Sequence, residues 1–140
     1  MNQKIVNWYK VNIKALMKIY GEVEFDREKI GWILIHYYQL PPCFNQKTSA
    51  FLLITPQENL MKRDGFEFYL NKRLRRVDGK PTRRLFEDNQ EYNRYAQKGY
   101  ARLSFHFYDF RPHSDARMGD NLVDICESLY NFLGDERGLV

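Results

Sequence analysis

Two cysteines, three histidines and one dense run of cations hold the residue types that could do chemistry in this chain. A cysteine thiolate is a nucleophile that can carry an acyl group as a thioester, given a base to take its proton and amide donors for the oxyanion. Cys43 stands in a turn beside Pro41 and Pro42, whereas Cys126 falls in a helical pattern next to an apolar stripe. A buried small hydrophobe is the plainer reading of Cys126, which leaves Cys43 as the credible nucleophile. Neither has CxxC or Cys/His spacing, so zinc is not suggested and both are expected to be free thiols.

His106 is flanked by Ser104 and followed by Asp109 and Arg111. Imidazole exchanges protons near its ordinary pKa of about 6.5, and a carboxylate can fix its tautomer, so His106 and Asp109 form a candidate base and orienter. The structural alternative is a histidine that holds the strand to a crossing loop. A regular strand favours that alternative, since it puts residues 106 and 109 on opposite faces unless the chain bends. His36, His106 and His113 match no recurrent metal motif, and P-loop, dinucleotide glycine, nucleophile-elbow and HExxH patterns are missing. No metal and no cofactor is expected.

The cations gather in one place. Lys72, Arg73, Arg75, Arg76, Lys80, Arg83 and Arg84 face the single anion Asp78, within a chain whose formal charge is only +4. Such a run can bind phosphates or an acidic protein face, and Arg111 is a further candidate contact. It can equally be a solvated strand edge that deters sheet-to-sheet pairing.

These residues need elements to position them. Apolar residues recur at helical spacing from Gln3 to Tyr20, with Gly21 as the stop, and a second helix runs from a cap at Asp120 or Asn121 through Leu122, Ile125, Leu129 and Phe132 to Gly134. Gly31 to Gln39 and Ala50 to Thr55 are short β-branched and aromatic runs, each closed by proline. Phe66 to Val77 alternates its apolar residues up to an Asp78-Gly79 turn, and Leu103, Phe105 and Phe107 alternate in a fourth strand that stops before Pro112. Between them, residues 80–98 read as a polar excursion with local helix. Helix, strands and helix in this order predict a single α+β domain over residues 1–140, with helices packed on an antiparallel sheet.

Three segments in that order, LPPCF at Leu40 to Phe44, FYLNKRLRRVDGKP at Phe68 to Pro81 and SFHFYDFRP at Ser104 to Pro112, resemble a prokaryotic branch of the ubiquitin-conjugating-enzyme-like (UBC-like) superfamily. That branch carries a Leu-Pro-Pro-Gly-Tyr-like turn, an Asp-Gly turn after an extended segment, and a histidine before a Trp-Arg-Pro-like element. The resemblance implies a four-stranded antiparallel meander with an N-terminal and a C-terminal helix, and work with a ubiquitin-like modifier and an activating enzyme. The chain departs from the pattern with Cys43 in place of glycine and Phe110 in place of tryptophan, and it has no cysteine in the expected active region. Thioester transfer is therefore in doubt, and a non-catalytic binding domain of a bacterial modification system fits the departures better.

Composition leaves two other readings open: a nucleic-acid-binding module using residues 72–84 with aromatic stacking, and a domain docking an acidic partner. It excludes others. A 44% hydrophobic and 16% aromatic content supports a folded core. No run approaches the roughly 18 apolar residues of a membrane span, and the polar N-terminus lacks a signal-peptide core, so a cytoplasmic protein without membrane attachment is expected.

Overall fold

The computed structural model describes residues 3–56, 65–107 and 110–140. Helix α1 spans Gln3–Tyr20 and helix α2 Leu122–Leu133; strands β1 Val23–Phe25, β2 Trp32–Gln39, β3 Thr48–Ile54, β4 Glu67–Asn71, β5 Leu85–Phe86 and β6 Tyr100–Leu103 form one sheet in the order β1-β2-β3-β4-β6-β5. All its pairings are antiparallel. The fold is thus α+β, with six strands where four were expected. The added pair, β1 and β5, are short strands at the two edges. Among the described residues no helix is long and apolar enough to cross a membrane.

Period-two alternation builds the core face of the sheet. Ile33 and Ile35, Phe51 and Leu53, Phe68 and Leu70, and Ala101 and Leu103 all enter one buried cluster with Trp8, Tyr9, Ile13 and Leu16 of α1 and Leu122, Ile125, Cys126, Leu129 and Leu133 of α2. A bulge between Ile35 and Tyr38 breaks the alternation on β2, so Tyr38 rather than Tyr37 turns inward and its hydroxyl donates to the Cys126 carbonyl at 2.6 Å. Phe132, expected on the buried stripe, is only partly buried, and Leu133 takes the interior place.

The helices are joined through a buried amide. Asn12 donates to the Trp8 carbonyl at 2.8 Å within α1, and its Oδ1 accepts from Leu122 N at 2.7 Å at the start of α2. Asn121 caps α2 by accepting from Val123 N and Asp124 N, while Asp124 accepts from Asn121 N at 2.8 Å, a complete capping box.

Two strands differ from their expected bounds. The segment Phe66 to Val77 leaves the sheet at Asn71, because Arg73 adopts a left-handed φ of 65° that a strand cannot contain. The fourth expected strand begins earlier, at Tyr100, and ends at Leu103; beyond it Phe105 and Phe107 pack against the core and His106 is exposed, outside any strand. On the second face of the sheet, Tyr69 is covered by Tyr95 from the 80–98 excursion, their rings 4.9 Å apart. Fully buried Asn93 holds that excursion by donating to the carbonyls of Phe86 and Tyr100.

Candidate functional site

The turn after β2 brings Cys43 to the C-terminal end of α2. Its sulfur lies 3.8 Å from the Leu133 carbonyl and 3.3 Å from Nη1 of Arg76. The arginine arrives because the LPPCF turn pairs with the basic segment: Phe44 bridges Arg76, Val77 N donates to the Cys43 carbonyl at 2.8 Å, and Asn45 N donates to the Arg75 carbonyl at 2.9 Å.

Arg76 corrects the expectation of a solvated cation. Its side chain is 3% exposed and forks onto Asp78, with Nε 3.2 Å from Oδ1 and Nη2 2.8 Å from Oδ2, while Nη1 donates to the Leu133 carbonyl at 3.2 Å. A cation here meets the negative end of the α2 dipole and one of the carbonyls the helix leaves unbonded. The Asp78 hydrogen bond raises the Arg76 pKa, and reciprocally Arg76 holds the Asp78 carboxyl below the usual carboxylate range.

The other cations of the run are mostly engaged as well. Arg75 makes a bidentate pair with Glu87 at 2.6 and 3.2 Å, and Arg75 is the main cause of the depressed Glu87 pKa. Lys72 lies 3.8 Å from Asp88, Lys80 donates to the Glu136 carbonyl, and Arg84 donates to the Val140 carbonyl at 2.7 Å. Only Arg73 and Arg83 are exposed without a side-chain partner among the described residues. The segment is also not part of a sheet strand: beyond β4 it runs through turns and the isolated bridges of Arg76 with Phe44 and of Thr82 with Leu139.

Among the described residues the hydrogen bonds of Cys43 do not include one to the expected base. The polar partners of Cys43 are Arg76, Leu133 and Val77, and His106 is exposed. Asp109 lies outside the described residues. Phe105 nevertheless brings the His106 segment to the same end of α2, its ring 5.0 Å from Phe132 and 5.5 Å from Phe68. Ser104 accepts from Arg84 there, and the Arg84 guanidinium lies 5.9 Å above the Phe132 ring. Arg111 is exposed in a neighbouring loop, where its backbone N donates to Asp120 at 2.7 Å.

The histidines are dispersed: His36 Nε2 is 3.0 Å from Glu24, and His113 Nδ1 accepts from Asp115 N at 2.9 Å. Among the described residues no group of three or more His, Cys, Asp or Glu is arranged to hold a metal ion. Both cysteines are free, and Cys126 is buried, which pushes its thiol pKa up to about 12.

Sequence reasoning missed that Asp78, Glu87 and the Leu133 carbonyl are the partners of the cations. The one available signal was the Arg-Val-Asp spacing at Arg76 to Asp78, which allows a local fork. No family model, curated protein or solved structure matches the chain.

Proposed function

We propose that the chain is a non-catalytic UBC-like binding domain of a bacterial ubiquitin-like modification system, with the activating enzyme or the modifier as its protein partner. One observation carries this reading. The three segments that bear the resemblance converge on the last turn of α2, through Cys43 and Arg76 at the Leu133 carbonyl and Phe105 at Phe132. Segments of turn and loop gathered on a rigid helix end are the usual makings of a recognition surface. The consecutive pairing of β1 to β4 between two terminal helices is compatible with the same reading.

The geometry lends transfer less support than binding. A guanidinium beside a sulfur favours a thiolate but cannot itself take up the proton, and the nearby Asp78 carboxylate, the base at hand, is committed to Arg76 through both oxygens. Phosphate binding has less support too, because five of the seven cations, Lys72, Arg75, Arg76, Lys80 and Arg84, already serve internal partners.

The test is to incubate the chain with a bacterial activating enzyme, its ubiquitin-like modifier and ATP, and to resolve the products on non-reducing gels. Co-migration in native complexes with no thiol-sensitive adduct is expected. A reducible adduct lost on Cys43→Ser replacement would make the domain an enzyme, and one lost only on Cys126→Ser replacement would contradict the burial of that thiol.

A further inference from the structure

A cleft of about 460 Å³ opens where the end of α1, the end of β2 and the middle of α2 meet. This volume lies within the roughly 300–1,000 Å³ typical of small-ligand sites. Its walls carry the phenol rings of Tyr20, Tyr38 and Tyr130, the carboxamides of Gln39 and Asn131, and the carboxylate of Glu127. No lysine or arginine lines it, although the chain as a whole has 22 cations to 18 anions.

One wall is preorganised. The Tyr20 and Tyr38 rings are 5.6 Å apart and tilted by 39°, and Tyr38 is locked by its hydrogen bond to the Cys126 carbonyl. Tyr130 follows Glu127 by three residues on α2, so both fall on the same helix face, and Tyr130 is 39% exposed. The C-terminal end of α1 lies at the same cleft and contributes partial negative charge. Phenols are uncharged near neutrality, and burial pushes those of Tyr20 and Tyr38 further from ionising, so Glu127 is the one acidic side chain on the lining.

We propose that this cleft binds an alkylammonium group, with the Tyr20 and Tyr130 rings and the Glu127 carboxylate as its recognition elements. The negative face of an aromatic ring attracts a cation, and a weakly hydrated organic cation also matches the apolar walls. An anion would be repelled by a carboxylate and a helix C-terminus, and a neutral ligand could hydrogen-bond to them but would forgo the charge attraction that a cation gains from both and from the ring faces. The same ammonium chemistry can come from a free small molecule or from a lysine side chain of another protein. This inference is independent of the binding surface at the end of α2.

The experiment is an NMR titration of the full chain, following the tyrosine ring and Glu127 amide signals, with choline, with Nα-acetyl-lysine methylamide and with neohexyl alcohol, the uncharged carbon isostere of choline. Saturable shifts are expected with an ammonium probe; the tighter of choline and the lysine derivative identifies the source. The isostere should bind at least about tenfold more weakly. Glu127→Gln and Tyr130→Ala, both at exposed positions, should each weaken ammonium binding roughly three- to thirtyfold while leaving the melting temperature nearly unchanged. The proposal is overturned if neither ammonium probe gives a saturable shift through the millimolar range, if the isostere binds as tightly as choline, or if neither substitution alters the affinity.

Discussion

The guanidinium of Arg76 bonds both oxygens of Asp78, the Leu133 carbonyl and the sulfur of Cys43, and so ties the turn after β2 and the basic segment to the end of α2. Hydrogen bonds to a charged group contribute about 1.5–3 kcal/mol each when buried, but Asp78 is 36% exposed and water replaces part of that term. Arg76→Met should therefore cost about 2–4 kcal/mol in urea unfolding, and a loss below about 1 kcal/mol would show that the fork contributes little. Residue identity alone did not reveal this. In a run of seven cations every side chain reads as solvated, and the choice of Arg76 for burial depends on a helix end more than fifty residues away. Cys126 was legible, because its position beside an apolar stripe implies burial. Its thiol is held at about 12 in the folded chain against an ordinary value of 9.0, so the unfolded thiol ionises first. The associated stability is complete below pH 9 and is lost progressively as the pH rises toward 12. Cys126→Ala should reduce the fall in stability between pH 9 and about 10 to the part contributed by buried tyrosines such as Tyr9, Tyr20 and Tyr38, whose unfolded phenols begin to ionise there; an unchanged slope would contradict the burial of the thiol.

At the scale of the elements, α2 ties the core to the surface. Leu129 is fully buried on its inner face, so Leu129→Ala should cost about 2–5 kcal/mol, and a loss below about 1 kcal/mol in denaturant melts would count against the packing. Both helices were legible because amphipathic spacing and capping residues are local signals: Gly21 stops α1 with a φ of 80°, and Asn121 caps α2 as its side chain allows. The central strands were legible from apolar runs closed by proline. β1 and β5 were not, because three- and two-residue strands form only where a neighbour offers unpaired backbone, which local propensity does not encode. The end of β4 was overrun for a related reason: alternating composition continues through Leu74 and Arg76, while the backbone turns at Arg73. Of the candidate site, the motif segments could be named from the sequence, but their meeting at Phe132 and Leu133 is a tertiary fact that no spacing along the chain encodes.

Across the whole molecule, the seven cations of residues 72–84 overstate the free basic field there, since most of them pair with anions or donate to carbonyls of the same fold. What the molecule brings together instead, at the end of α2, are three distant segments whose junction is buried at Phe44, Arg76 and Leu133 and half-buried at Cys43, Phe105 and Phe132, with Arg73 and Arg83 exposed in the basic segment that supplies one of them. The most direct test of that end of α2 as a protein-binding face is an amide NMR titration of the labelled chain with a bacterial ubiquitin-like modifier and, separately, with its activating enzyme. The account predicts saturable shifts confined to Cys43, Phe44, Arg76, Phe105, Phe132, Leu133 and their neighbours. It is contradicted if neither protein perturbs those residues while a nucleic-acid oligonucleotide shifts Arg73 and Arg83 with an affinity that falls steeply with salt.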